Sequence, residues 1–381
     1  MFDRESTLKS MIVDLINELV TKNEFVSEIE FNGPGLMFYK ERGNRQSVSI
    51  PINSEEDYQT AIDGLIEKAG LIKRSYLVEG RYSLPGGRYG RLHIALPPAT
   101  PNALVTLAIK TGSLTDLAAI QGSGSFDTEI SKFLKAAIAS RLTIVISGGT
   151  GAGKTTLLEA MTGEFERSER IGVCEDTPEL ELDGENVAYL TSTVWAPGMS
   201  SSDVADLSWV VQQINRMRVD RIIIGETRGK EFFDFVVAAN SGKPGSLTTI
   251  HANDGKSAMK KMSGFIYQAV DMPPRIINEM IAEAVDIVIQ IGHNEKTRKH
   301  KMLSIHEVTE AISSGESPTV ALNPLFVYDH ELDIWEKRYA TDALKKKFKL
   351  YGYNPNTYTI EDKEEDSNLD FSGGLPSYFN K

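Results

Sequence analysis

Leu8, Met11, Ile12, Leu15, Ile16 and Leu19 recur at three- and four-residue steps, the spacing of one apolar helix face. An extended stretch follows from Val26 to Phe31. Asn32-Gly33-Pro34-Gly35 predicts a turn, and Leu36-Met37-Phe38-Tyr39 a returning strand. Tyr58, Ile62, Leu65 and Ile66 mark a second amphipathic helix, and strands are expected near Leu77-Val78, 92–96 and 104–109. This order of helices and strands predicts a small α+β domain over residues 1–110. Thr111-Gly112-Ser113 and Gly122-Ser123-Gly124-Ser125 have the composition of a flexible linker, placed at 111–126. Ser125 or Asp127 then caps a helix whose inner face carries Ile130, Phe133, Leu134, Ala137 and Ile138.

From residue 142 the pattern changes to short β-branched runs alternating with helical spacing. Strands are expected at 142–146, 170–174, 221–224, 246–250 and 285–291, and helices at 154–163, 203–217, 230–240, 256–267 and 274–284. The alternation predicts a mostly parallel sheet covered on both faces, over residues 127–310. The fold class is α/β, and ligands of such sheets sit beyond the carboxyl ends of the strands. After about residue 311 the pattern weakens. Lys345-Lys346-Lys347-Phe348-Lys349 is basic and Glu361-Asp362-Lys363-Glu364-Glu365-Asp366 acidic, so 311–381 reads as a C-terminal extension, partly disordered.

A length of 381 residues suits two or three domains, and 41% hydrophobic with 25% charged residues is an ordinary globular balance. No run approaches the ~20 apolar residues of a membrane span, and Met1-Phe2-Asp3-Arg4-Glu5 lacks the apolar core of a signal peptide. The single cysteine, Cys174, permits no internal disulfide and reads as a small buried strand residue; a reducing cytoplasm is the expected location. A net charge of −12 argues against a surface given over to nucleic acid, though local basic patches remain compatible with it.

The chemistry centres on one strand, turn and helix. Ile144-Val145-Ile146-Ser147 leads into Gly148-Gly149-Thr150-Gly151-Ala152-Gly153-Lys154-Thr155-Thr156, the P-loop pattern G-x-x-x-x-G-K-[ST]. Glycines let backbone N–H groups turn inward around phosphate oxygens, and the following helix aims its positive end at them. Lys154 is placed to reach the outer phosphates and the Thr155 hydroxyl to hold Mg²⁺. Such a site needs carboxylates across from the loop. Glu175-Asp176 follows the strand ending at Cys174, and Glu226 follows Ile222-Ile223-Ile224-Gly225. The plainer alternatives are turn residues at 175–176 and a helix cap at Glu226. His251 ends a third strand, Ser246 to Ile250, placed to contact a γ-phosphate or serving only as a satisfied polar residue. Arg88, Arg91, Arg216, Arg218 and Arg221 are either solvated or candidate arginine fingers.

Four blocks in this order carry a family resemblance: 148–156, 175–180, Arg216 to Gly229, and Gly245-Ser246-Leu247-Thr248-Thr249-Ile250-His251-Ala252-Asn253. They resemble the Walker A, Asp box, Walker B and His box of the secretion traffic ATPases of type II secretion, type IV secretion and conjugation, and type IV pili. Phe233-Asp234-Phe235 and Asn240-Ser241-Gly242 look most like the VirB-type and Tad-type branches, and less like the pilus-retraction branch. The resemblance covers roughly residues 10–310. It implies a PAS-like N-terminal domain, a RecA-like ATPase domain and a homohexameric ring that binds ATP and Mg²⁺ between them. It implies Gly148 to Thr156 on the phosphates, with Lys154 acting in catalysis. Thr155, Glu175 and Glu226 hold the metal, partly through water; Glu226 is the catalytic carboxylate, Glu175 its support and His251 a γ-phosphate sensor. Arg91 matches a family arginine that reaches the nucleotide. Lys110 stands where the family often has an arginine pair, keeping the charge but losing bidentate geometry. Val219 stands in place of a common proline.

The resulting expectation is a cytoplasmic ATPase motor, peripheral at the inner face of the membrane through inner-membrane components of a type IV secretion or conjugation apparatus. Motion about 111–126 would couple nucleotide to work, and no direct nucleic-acid binding is expected. Assembly of Tad-type or type IV pili is the nearest alternative. A RecA-type DNA translocase needs a basic, aromatic-lined groove, and a non-hydrolysing switch would bind nucleotide without turnover.

Overall fold

The protein is described by a computed structural model covering residues 4–41, 44–73, 76–110, 116–192, 205–311 and 319–360, the side chains of 310, 311 and 319 excepted. The first helix, α1 (Arg4–Lys22), buries Ile12 and Ile16 of the expected face together with Val13 and Val20, while Met11, Leu15 and Leu19 are partly buried against the same core. Strands β1 (Val26–Phe31), β2 (Leu36–Glu41) and β3 (Asn44–Ser49) follow, then α2 (Glu55–Lys68), whose N-cap Ser54 accepts from the Asp57 N–H. Strands β4 (Leu77–Ser83), β5 (Tyr89–Ala95) and β6 (Leu104–Ile109) complete a six-stranded sheet in the order β3-β2-β1-β6-β5-β4. Every pairing in it is antiparallel. The two helices share one core with the sheet's inner residues, among them Ile29, Phe31, Leu92 and Leu107. Gly64 lets the helices approach: a Cβ there would sit 2.1 Å from the Lys9 carbonyl oxygen.

The segment read as a linker is structured where it is described. Asp116 caps a short helix, α3 (Leu117–Gly122), which buries Leu117 and Ile120, and Phe126 is also buried. The Ser125 carbonyl accepts from the Met302 N–H at 2.9 Å. Glycines and serines suggested flexibility, but the apolar residues between them supply enough burial to order the chain; 111–115 lie outside the described residues.

Helix α4 (Thr128–Ala139), capped by Asp127, precedes a nine-stranded sheet. Its parallel part is ordered β12 (Ile287–His293), β7 (Ile144–Gly148), β11 (Leu247–Ile250), β10 (Arg221–Thr227), β8 (Ile171–Glu175) and β9 (Val187–Thr191). The helices α5 (Lys154–Thr162), α6 (Leu207–Arg216), α7 (Glu231–Asn240), α8 (Gly255–Ala269) and α9 (Pro274–Ala284) connect these strands. Both sheet faces are covered, with Ile144, Ile146 and Ile223 in one core cluster and Val145, Ile222 and Ile224 in another. The described part of the helix expected at 203–217 begins only at Leu207, where Asp206 accepts from the Trp209 N–H.

The boundary expected at 310 is corrected. Strand β13 (His300–Ala311) pairs antiparallel with β12, and β14 (Thr319–Asp329) and β15 (Ile334–Lys337) extend the same sheet. Helix α10 (Asp342–Leu350) buries Leu344 and Phe348. Phe133 of α4 meets Phe326, Phe348 and Tyr358 edge-on, at centroid distances of 5.5, 5.9 and 5.1 Å. Leu325, Phe326, Ala340, Leu344, Phe348 and Tyr358 therefore belong to the core of the second unit. The acidic run 361–366 lies outside the described residues. Among the described residues, no helix is long and apolar enough to cross a membrane.

Candidate functional site

Four neighbouring strands, β7, β11, β10 and β8, end side by side. Their ends present, in that order, the Gly148–Gly153 loop, His251, Glu226 and Glu175. Strand β7 is buried throughout and fixes where the loop begins. Gly151 and Gly153 take φ of +71° and +91°, values that favour glycine. Gly153 is the N-cap of α5 and, having no side chain, leaves that helix end without a side-chain cap. The α5 N-terminus thus offers backbone N–H groups, with Thr155 and Thr156 half-buried in its first turn.

Lys154 is 7% exposed and folds back over the loop. Its Nζ donates to the carbonyls of Gly148 (3.1 Å) and Gly149 (2.9 Å) and meets His251 Nδ1 at 3.2 Å. An ammonium has no lone pair to accept with, so His251 Nδ1 is the acceptor and Nε2 carries the proton. That Nε2–H faces Glu226 Oε1 at 2.8 Å, and the other Glu226 oxygen accepts from Arg228 Nη2 at 2.8 Å. A polar chain Lys154–His251–Glu226–Arg228 therefore runs from the loop to the second acidic strand. A neutral imidazole satisfies both neighbours, and burial, with the adjacent cations, lowers the His251 pKa despite Glu226. Burial works to raise Glu226, but the hydrogen bond and charge of Arg228, backed by His251 and Lys154, hold it below the usual carboxylate range. Burial also lowers Lys154.

Glu175 is 5% exposed. Its Oε1 accepts from the backbone N–H groups of Glu179 and Leu180, each at 3.0 Å, yet burial outweighs both and pushes its pKa up to about 7. The carboxylate lies against Gly225; a Cβ there would be 3.0 Å from Oε1. A small space of about 30 Å³ is lined by Arg91, Thr155, Glu175, Asp176, Glu179, Glu226 and others. That is room on the order of one water or ion. On the other side of the loop, a cavity of about 720 Å³ opens against Gly153, Thr156 and Leu157, walled by Ile120, Phe126 and Met302.

The residues singled out in the sequence largely converge here. The segment 148–156, Glu175, Glu226 and His251 share one strand edge, and Arg91 reaches it from β5. Arg91 Nη1 donates to Glu179 Oε1 at 2.9 Å. Lys110 lines the larger cavity and pairs with Glu159 and the Tyr89 hydroxyl. Other arginines do not converge. Arg221 is 2% exposed and held by Glu169 through Nε (2.7 Å) and Nη2 (3.1 Å). Arg88 donates to the carbonyls of Val20 and Val26 within the N-terminal unit. Arg216 and Arg218 are exposed at the amino end of β10, the opposite edge of the sheet. Cys174 is buried, its thiol pKa raised by desolvation. The sequence reading missed Arg228, Glu179 and Glu159 as site residues. Arg228 lies two residues past Glu226, Glu179 four past Glu175 and Glu159 five past Lys154, so nearness to a marked motif was the available signal.

The model of the type II/IV secretion system protein family matches residues 87–342. The conjugal transfer protein TrbB of Rhizobium radiobacter is 32% identical over 226 residues, 58% of this chain; the match spans 65% of that relative's length, under two thirds. VirB11 of Agrobacterium tumefaciens is 28% identical over 69% of this chain and 83% of its own. Among solved structures, the Legionella pneumophila ATPase DotB has the same fold, with a TM-score of 0.54 and 17% identity over 84% of this chain and 82% of DotB. The marked blocks lie within the matched residues, and both sequence relatives come from conjugation and VirB-type systems, the branch the motifs resembled. The chain belongs to the type II/IV secretion system protein family.

Proposed function

We propose that the protein is a hexameric ATPase motor that hydrolyses ATP to ADP and phosphate to power transfer in a type IV secretion or conjugation system. The observation that carries this reading is the chain Lys154–His251–Glu226–Arg228, which joins a phosphate-binding loop to an ionised carboxylate at one sheet edge. The residues fit a magnesium nucleotide. The uncapped α5 N-terminus and the loop N–H groups would hold phosphates, and Lys154 would exchange the Gly148 and Gly149 carbonyls for phosphate oxygens. The larger cavity, apolar at Ile120, Phe126 and Met302, has the size and lining of a nucleoside pocket, with Lys110 at its rim.

Among the described residues no three His, Cys, Asp or Glu side chains form a metal cage. Mg²⁺ would be held by Thr155 and phosphate oxygens, with Glu175 and Glu226 acting through water. The bound nucleotide supplies the phosphoryl group. Glu226 orients a water in the small space and takes its proton, His251 fixes one Glu226 oxygen, and Arg91 adds positive charge beside Thr155. Neutral His251 is poised to feel whether Lys154 points toward its own loop or toward phosphate. The motor would work in the cytoplasm as a ring at the membrane's inner face, through protein partners of the apparatus.

Phosphate release and native mass, measured for the parent and Lys154→Ala with Mg²⁺ and ATP, test this. The parent should turn over as a hexamer and the variant should lose turnover. A parent that stays monomeric and releases no phosphate at any concentration contradicts the proposal, and stimulation by DNA but not by membranes favours a DNA translocase instead.

A further inference from the structure

Glu179 bonds to three residues drawn from both units, through its N–H, its carbonyl and its carboxylate. Its backbone N–H donates to Glu175 Oε1 at 3.0 Å. Its carbonyl accepts from the Tyr89 hydroxyl at 2.9 Å, and its carboxylate accepts from Arg91 Nη1 at 2.9 Å. Tyr89 and Arg91 both lie on β5 of the N-terminal sheet, two residues apart and so on the same face. Glu175 ends β8 of the other sheet. One residue therefore joins the N-terminal unit to a buried carboxylate of the candidate site.

Its neighbours strengthen the link. Thr177 Oγ1 donates to Glu79 of β4 at 3.4 Å, and Arg81 of β4 pairs with Glu181. The Arg81 guanidinium also stacks 3.8 Å from the Tyr89 ring centre. The Glu181 N–H donates at 3.0 Å to Glu159 of the P-loop helix, which in turn holds Lys110. The segment 177–181 is thus gripped by β4 and β5 on one side and by α5 and Glu175 on the other.

We propose that Glu179 is a positioning residue: it transmits the placement of the N-terminal sheet to Glu175, so that the carboxylate is aligned only while β5 is docked. This rests on the hydrolytic reading above for its consequence, but not for its geometry. A shift of β5 pulls on Tyr89 and Arg91, these pull the 179–180 backbone, and that backbone carries the two N–H groups that orient Glu175. Arg91 is shared between Glu179 and the small space beside Thr155, so a phosphate drawing on Arg91 would loosen the same link.

The test measures docking and turnover separately. Spin labels go on Thr106→Cys of β6 and Lys260→Cys of α8, both exposed, in a Cys174→Ala background. Without nucleotide, the parent should give one narrow distance distribution. Glu179→Ala should broaden or shift it, and Glu179→Gln, which keeps an acceptor for Arg91, should restore it in part. Tyr89→Phe, a change of one hydroxyl, should broaden it as well. In phosphate-release assays Glu179→Ala should lower kcat by about tenfold or more with KM little changed, the mark of a misplaced group rather than lost binding. Unchanged distances in both Glu179→Ala and Tyr89→Phe overturn the proposal, as does a broadened distribution with parental kcat. A parent with no turnover refutes the hydrolytic reading, while the distances still decide whether Glu179 docks the sheet.

Discussion

Glu175 and Glu226 are two carboxylates on neighbouring strands, and their surroundings drive them apart. Arg228 and His251 keep Glu226 ionised, whereas burial with only two backbone donors lifts Glu175 to about 7. The sign of the consequence for stability follows directly. The folded chain keeps the Glu175 proton up to about pH 7, while the unfolded chain releases it near the ordinary 4.5. Stability from this group is therefore lost as pH rises through that window, and the cost persists above it, on the order of 3 kcal/mol. Glu175→Gln keeps an acceptor for the Glu179 and Leu180 N–H groups without the charge. It should raise the melting temperature at pH 8 and do little at pH 4; an equal effect at both would refute the assignment. The acidic, histidine and P-loop positions were legible in the sequence because each ends an apolar run. Arg228 and Glu179 were not, because their roles depend on a single partner across the fold and arginine and glutamate are ordinary surface residues.

Among the elements, those buried on both faces were the easiest to read. The runs in β7, β10 and β12 are nearly all β-branched, as a parallel sheet between helices requires. Strand β3, Asn-Arg-Gln-Ser-Val-Ser, is exposed along its whole length and carries no apolar signal. Strand β14 was hidden for another reason. It contains Pro324, which reads as a breaker but sits at the register shift between β13 and β14, where a missing N–H is tolerated. The close helix pair α1–α2 gives a prediction at this scale. In Gly64→Ala the new Cβ would meet a backbone carbonyl at 2.1 Å, and backbone cannot yield as a flexible side chain does. The substitution should cost about 1–3 kcal/mol, seen as a lower urea midpoint for the N-terminal unit; an unchanged midpoint would mean the helices separate freely.

For the molecule as a whole, the character of both sheets was readable, since the pattern passes from antiparallel α+β to alternating α/β. The C-terminal limit was not. Strands β13 to β15 mix polar and apolar residues without a clean period, and α10 contributes mainly Leu344 and Phe348, too few to stand out among its lysines. In three dimensions those residues close the core over Phe133. Ending the chain at residue 310 should therefore expose that aromatic cluster and leave β13 as an uncovered edge. The expected result is aggregation or loss of cooperative melting; a soluble product melting like the parent would return the boundary to 310.

The central claim is that Glu226, held by His251 and Arg228 across from the P-loop, performs the hydrolytic step. Glu226→Gln keeps the shape and loses the proton acceptor. Measured for kcat and nucleotide affinity together, it should bind nucleotide within a few-fold of the parent and turn over about 100-fold more slowly or worse. A Glu226→Gln protein with parental kcat would contradict the claim and move the role to Glu175.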